Sequence, residues 1–184
     1  MTGPSGKLVV VSGPSGAGKT SVCRALKTHP QVEFSVSATT RPIRVDEKDH
    51  VDYHFLTEEE FLRRRASGEF LESAQYNGHY YGTLRQPMDD ALAAGRVFIL
   101  EIEVQGTRQL RDNRVVGDFI FIVPPSMEVL RQRLADRGTN TPEEIEDRLR
   151  IAADELESAG LYDFVVVNED LEDTIAEVEE RIGL

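Results

Sequence analysis

The sequence predicts an α/β fold with a five-stranded parallel core sheet flanked by helices, and three observations carry that prediction. Five short runs rich in Val, Ile and Phe punctuate the chain: Leu8 to Val11, Phe34 to Ser37, Val97 to Ile102, Phe119 to Val123 and Phe164 to Val167. All but the second are nearly continuous in hydrophobicity rather than alternating, the pattern of strands buried on both faces of a parallel sheet. Helical segments fill the intervals, and strands alternating with helices imply right-handed crossovers.

Taken in order, the first run leads through a glycine-rich turn into a helix over Gly18 to Lys27. The stretch from Ala38 to about Gln86 departs from the pattern. It is rich in Arg, Tyr, His and Glu with short apolar pieces, and reads as an inserted lobe with a helix around Thr57 to Ala66. Helices over Val104 to Arg111 and Met127 to Ala135 follow the third and fourth runs. The polar connection DRGTNT, Asp136 to Thr141, lies among Arg133, Arg137 and Arg148 and is expected to move. Pro142 suits a first helical turn, with Thr141 as N-cap and Glu144 completing a capping box, so a helix is expected from Pro142 to Ser158. The last segment, Leu171 to Ile182, is an acidic amphipathic helix. No internal repeat or low-complexity tract appears.

Length and composition narrow the function classes. With 184 residues, 40% hydrophobic and 29% charged, the chain suits one folded domain with room for a small inserted lobe. No apolar run approaches the roughly 20 residues a bilayer span needs, and Met1 to Gly6 lacks the basic and apolar regions of a secretory leader, so membrane and secreted readings are set aside. The single Cys23 cannot form an internal disulfide, and no Cys/His spacing suggests a metal cage, which fits a reducing, cytoplasmic compartment. The net charge of -12 argues against nucleic acid or anionic lipid as a partner. An anionic substrate then requires positive charge gathered locally.

Between the first strand and its helix lies GPSGAGKT, Gly13 to Thr20, which fits the phosphate-binding pattern G-x-x-x-x-G-K-[ST]. Gly13, Pro14, Ser15, Gly16, Ala17 and Gly18 form the turn whose backbone N–H groups point into one concavity. The helix N-terminus at Lys19, Thr20 and Ser21 adds its dipole. The Lys19 ammonium reaches the outer phosphates and the Thr20 hydroxyl suits Mg²⁺. A turn that merely joins strand to helix is the alternative, and the strand–turn–helix context favours a nucleoside triphosphate site. The four histidines, His29, His50, His54 and His79, match no ligand spacing and read as non-catalytic.

The runs SVSATTRPIR (Ser35 to Arg44), DYHF, GEFLE, NGHYYGT and LEIEVQG, together with the phosphate loop, resemble guanylate kinase from Leu8 to about Leu171, in the family's order and spacing. The resemblance implies an ATP:GMP phosphotransferase of the P-loop kinase fold, acting on GMP and dGMP, with a core at 7–37 and 88–184. It further implies a mixed α/β GMP-binding lobe at about 38–87 and a small mobile lid at about 133–148. The core strands would be ordered second, third, first, fourth, fifth.

The chemistry of the lobe agrees. Arg41, Arg44, Tyr53 and Tyr81 are two guanidinium forks and two phenols in one lobe of an acidic chain, suited to a phosphate dianion; by resemblance they grip the GMP phosphate. Guanine presents N–H donors at N1 and N2 and an acceptor at O6, which calls for a carboxylate beside a hydroxyl. By resemblance Glu72, with Ser37 and Thr83, reads this edge, and Glu103, where the family usually has Asp, holds the amino group. Adenine sets a lone pair against that carboxylate, a buried mismatch worth on the order of 10⁴ in specificity. The loop Val45 to His50 lacks the family's Pro-Gly pair and later Gly, and Ser73 stands where an aromatic often follows Glu72.

An acceptor phosphate has a second pKa near 6 and is already mostly a dianion at neutral pH, so no general base is required. The resemblance implies charge stabilisation by Lys19, Arg41, Arg133, Arg137 and Arg148, with Mg²⁺ brought by ATP and held at Thr20 and, through water, Glu101. Arg133 and Arg148 also read as solvated helix-face residues. Asn168 is placed near the adenine, with a strand-end cap an equal reading. Two rivals remain: an interaction module that keeps the fold and loses catalysis, and a kinase for another phosphorylated small molecule. The intact Gly13, Gly18, Lys19 and Thr20, and the expectation of no neighbouring domains, argue against the first. The set Ser37, Glu72 and Thr83 argues against the second. Monomer and homodimer both remain open.

Overall fold

The computed structural model describes residues 6–136, 138 and 141–184. The expected site residue Arg137 lies outside the described residues. Along the chain, β1 (Lys7–Ser12) leads to α1 (Lys19–Leu26) and β2 (Val32–Phe34). Then come β3 (Ala38–Thr39), β4 (His54–Phe55), α2 (Glu58–Ala66), β5 (Phe70–Tyr76) and β6 (His79–Leu84). After these follow α3 (Arg85–Ala93), β7 (Val97–Glu101), α4 (Val104–Asp112), β8 (Asp118–Val123) and α5 (Met127–Asp136). The chain continues with α6 (Pro142–Leu156), a 3-10 segment (Glu157–Leu161), β9 (Phe164–Val167) and α7 (Leu171–Ile182).

The first sheet is five-stranded and wholly parallel, ordered β2-β7-β1-β8-β9. This is the order expected above. Leu8 and Val10 point to one face, where Met88 and Ala91 of α3, Val104 and Leu110 of α4, and Tyr162 cover them. Val9 and Val11 point to the other, covered by Val22, Cys23 and Leu26 of α1 and by Val178 and Ile182 of α7. Both faces are dry, which is why these strands read as unbroken apolar runs.

A second, mixed sheet, ordered β4-β3-β6-β5, is built from residues 38 to 84. Its small core is aromatic: Phe61 of α2 stacks on Phe70 and Tyr80 with ring centroids 4.4 and 5.4 Å apart. The helix pair α5 and α6 makes a third cluster from Leu130, Leu134, Leu149 and Ala152, joined on its surface by an Arg131–Glu146 ion pair.

Several boundaries differ from expectation. The second strand spans Val32–Phe34 rather than Phe34 to Ser37. Ser35 still donates its N–H to the Ile99 carbonyl at 2.9 Å, but the chain then bends toward the second sheet, where the Ser37 carbonyl accepts from His54 N–H. The long helix stops at Leu156 and tightens into 3-10 geometry instead of running to Ser158. Helix α3 is absent from the expectations, because its inward stripe is only Met88 and Ala91, with Pro87 in the first turn and exposed aspartates between. The capping box at Thr141 and Glu144 forms as expected, as does the helix Leu171–Ile182.

Helix α7 closes one face of the sheet and begins at Asp170, whose carboxylate accepts the N–H groups of Glu172 and Asp173 at 2.8 and 3.2 Å. Replacing this cap, Asp170→Ala, is expected to lower unfolding free energy by about 1 kcal/mol. Urea denaturation checks this, as a shift of midpoint at unchanged slope.

Candidate active site

Strand β1 ends at Ser12 and the chain turns tightly beneath β8. A Cβ on Gly13 would lie 2.0 Å from the Ile122 carbonyl oxygen, at a φ of +146°, so only glycine fits. The loop closes on itself through an Ala17 N–H donated to the Pro14 carbonyl at 3.1 Å. Lys19, the first residue of α1, folds back over the turn, its ammonium donating to the carbonyls of Gly13 and Pro14. Burial pulls the Lys19 ammonium below the usual lysine range, while Glu101, Glu155 and Glu103 pull it the other way. The Thr20 hydroxyl donates to Glu101 Oε1 at 3.1 Å, and Arg148 reaches from α6 to Ser15 Oγ at 3.1 Å.

The far side of the loop is held by Asn168, the residue after β9. Its Nδ2 donates to the Ala17 carbonyl at 2.7 Å, and its Oδ1 accepts from the Thr174 hydroxyl at 3.1 Å. A Cβ on Gly18, at φ +98°, would lie 2.0 Å from that same Nδ2. Arg133 donates from Nη2 to the Asn168 backbone carbonyl at 2.8 Å, while its buried Nη1 has no hydrogen-bond partner among the described residues.

A cavity of about 350 Å³ lies between the second sheet and the start of α4. Glu72 of β5 projects into it, and Thr83 of β6, directly across the ladder, donates its hydroxyl to Glu72 Oε1 at 2.7 Å. Burial pushes the Glu72 carboxyl above the usual range; the hydrogen bonds from Thr83 oppose this and Glu103 adds to it. Ser37, Glu103, Tyr53 and Tyr81 line the same space. A second cleft of about 730 Å³ lies over the phosphate loop, and Tyr53, Tyr76, Glu101, Ile102 and Glu103 line both. The two spaces therefore meet at the carboxyl end of β7.

Arg41 lines neither space and packs behind Tyr53, which lines both, its guanidinium 5.4 Å from the Tyr53 ring centroid and 5.7 Å from that of Phe55. Tyr53 packs edge-on against Tyr81 at 6.2 Å. The fork of Arg41 is engaged by Glu47, with bonds of 2.9 and 2.8 Å, and Glu47 also accepts the Arg44 N–H at 2.9 Å. This grip, above all by Arg41, pulls the Glu47 carboxyl down to about 2. The Arg44 side chain is exposed. The loop between Arg44 and Tyr53 includes His50 in a left-handed backbone (φ 62°), the conformation glycine favours.

A family model described as guanylate kinase matches residues 5–183. The chain belongs to the guanylate kinase family. It is 47% identical over 175 residues to a guanylate kinase of Clostridium perfringens, covering 95% of this chain and 81% of that protein. It is 46% identical to that of Thermosynechococcus vestitus, covering 96% and 93%. The crystal structure of guanylate kinase from Anaplasma phagocytophilum superposes with a TM-score of 0.76 at 35% identity, covering 98% of this chain and 86% of that one.

In this guanylate kinase fold, most of the expected residues fall into two groups around one cleft, while Arg41, Arg44 and Arg133 line neither space. Gly13 to Ser21, Glu101 and Arg148 gather at the phosphate loop, and Ser37, Tyr53, Glu72, Tyr81, Thr83 and Glu103 at the second sheet. Asn168, expected either near the adenine or as a strand-end cap, spends both ends of its amide on the loop backbone and Thr174 and does not line the open cleft. Glu47 and Glu155 are additions that the motifs do not flag. Glu47 is one of four acids between Arg44 and Tyr53, with Asp46, Asp49 and Asp52, and nothing in the sequence singles it out; Glu155 carries no signal beyond its place on the amphipathic α6.

Because Asn168 braces the loop rather than the open cleft, Asn168→Ala is expected to cost about 2 kcal/mol of stability. It should raise KM for ATP while leaving KM for GMP within about twofold. Denaturation and steady-state kinetics measure the two effects separately.

Proposed function

We propose that the protein transfers the γ-phosphoryl group of MgATP to GMP or dGMP, giving ADP and GDP by direct in-line displacement. The observation that carries this reading is the meeting of the two spaces at Glu101, Ile102 and Glu103. A triphosphate on the loop and a monophosphate held by its base at Glu72 present their phosphates to each other within one cleft.

An oxygen of the GMP phosphate attacks the γ-phosphorus as the bond from that phosphorus to the β–γ bridging oxygen breaks and ADP leaves. The nucleophile is already anionic, so the work of the protein is to orient two polyanions and to stabilise the charge spread over the group in flight. Lys19, released from the carbonyls of Gly13 and Pro14, turns to the outer phosphates. Arg41 and Arg44 with Tyr53 and Tyr81 hold the acceptor phosphate, and Arg133 of α5 and Arg148 of α6 approach the group in flight, a role the sequence also gives to Arg137. Closure of the lid expected at about 133–148 excludes water, the competing acceptor. Glu72, Ser37 and Thr83 select guanine, and Glu103 takes the exocyclic amino group.

The Thr20 hydroxyl and the Glu101 carboxylate, 3.1 Å apart beside the loop, fit Mg²⁺, which prefers few protein ligands, several waters and substrate phosphate oxygens. Among the described residues no group of three or more His, Cys, Asp or Glu side chains could cage a metal without substrate. Mg²⁺ bound there would neutralise charge on the donor phosphates.

ADP production from MgATP, measured with GMP, dGMP, AMP, UMP, CMP or no acceptor, tests the reading. GMP should exceed AMP by about 10³-fold or more in kcat/KM. Folded protein that binds GMP and turns over no acceptor would overturn it in favour of a non-catalytic module.

Guanine recognition needs the ionised Glu72, whose pKa lies above the ordinary carboxylate range. Protonation as pH falls should therefore raise KM for GMP earlier than an exposed carboxylate would. In Glu72→Gln that limb should vanish, leaving a weaker affinity whose remaining pH dependence is that of the substrate phosphate, with a pKa of about 6. Profiles of both proteins between about pH 5 and 8 provide the comparison.

A further inference from the structure

Strand β5 is the edge of the second sheet, so along its outer side the backbone lacks a strand partner. At Ser73, the residue after Glu72, a side chain takes that place. Gln109 of α4 accepts the Ser73 N–H through Oε1 at 3.1 Å and donates from Nε2 to the Ser73 carbonyl at 3.0 Å. A carboxamide is suited to this because it sets a donor and an acceptor side by side, as a neighbouring strand would.

The clamp belongs to a helix with a definite layout. Glu103, the N-cap of α4, Gly106 and Gln109 follow at three-residue steps, so Gln109 lies about 9 Å down the axis from Glu103 and about 120° around it. Gly106 lies between them, and a Cβ there would stand 3.2 Å from Glu72 Oε2. The Glu72 carboxylate therefore rests against bare helix backbone, held on its other oxygen by Thr83. One helix thus carries Glu103 at its start, the seat of Glu72 in its middle and the fastening of the Glu72 strand toward its far end.

We propose that Gln109 is a positioning residue for base selection: by clamping Ser73 to α4 it fixes the separation of Glu72, which comes from the second sheet, and Glu103, which comes from the first. The spacing of the two carboxylates is then set by one helix and one amide rather than by how the two sheets happen to lie. Guanine, with donors at both N1 and the exocyclic amino group, satisfies both carboxylates only at that spacing. The inference rests on the reading that Glu72 and Glu103 receive the base.

The test is discrimination between GMP and inosine monophosphate, which lacks only the 2-amino group, in the full chain. Gln109→Leu removes the clamp, Gln109→Glu keeps the acceptor for Ser73 N–H and loses the donor, and Glu103→Ala removes the carboxylate itself. Gln109→Leu is expected to raise KM for GMP about tenfold, to leave KM for ATP within about twofold and to cut the GMP-over-inosine monophosphate ratio of kcat/KM about tenfold. Gln109→Glu should fall between Gln109→Leu and the parent, and it carries the test if Gln109→Leu does not fold. Unfolding midpoints report separately how much the clamp adds to stability. A parent-like ratio in the Gln109 variants, or an equal rise in KM for both substrates, overturns the proposal. If Glu103→Ala abolishes the preference while the Gln109 variants retain it, the clamp alone is wrong. If Glu103→Ala leaves the preference intact, the base-reading assignment fails with it.

Discussion

A parallel sheet buried on both faces delivers the carboxyl ends of all its strands to one edge, and the cleft depends on that constraint. Strand β1 ends in the phosphate loop, β7 in Glu101 and Glu103, β9 in Asn168, and the chain leaving β2 in Ser37. Each arrives with its backbone already hydrogen-bonded, so the functional side chains stand on rigid ends. The loop itself is wedged: Gly13 against the Ile122 carbonyl, Gly16 against Leu130 and Leu134, Gly18 against the Asn168 amide. Larger residues at these positions would push the loop off the sheet, and the concavity for phosphate would open.

Charge is handled by pairing in advance. The chain is strongly acidic, and Glu72, Glu101, Glu103 and Glu155 face or flank the cleft. The cations beside them are occupied: Lys19 by two carbonyls, Arg148 by Ser15 and Arg41 by Glu47. Groups held in this way are already oriented, and on the proposed function an arriving phosphate would exchange partners with them rather than organise them from water. The bidentate grip of Glu47 on Arg41 matters here, because a guanidinium fork that fits a carboxylate is shaped for a phosphate as well.

Much of this was legible in the sequence, for identifiable reasons. The continuous apolar runs at Leu8 to Val11 and Phe119 to Val123 could only be strands buried on both sides, and the pattern from Gly13 to Thr20 carries its own backbone geometry. Thr141, Pro142 and Glu144 marked a helix start that the structure keeps. Interactions between elements distant in the chain were not legible. Gln109 and Ser73 are 36 residues apart, and Asn168 and Ala17 are 151 apart. No local pattern announces that a side-chain amide will serve as a strand neighbour or a loop brace. The short strands β3 and β4 were also hidden, since two-residue strands carry no periodicity. The end of β2 shifted because tertiary demand, the crossing into the second sheet, overrode the apolar run.

The fastening at Ser73 has a consequence for solubility. An edge strand whose outward N–H and C=O groups are free is a template onto which another chain can add. At Ser73 both groups are already taken by an amide on a buried-face helix, so the register a foreign strand would need along β5 is interrupted next to the most apolar part of that strand, Phe70 and Leu71. The contact that ties the two sheets together thus also occupies the open edge of the smaller one at Ser73.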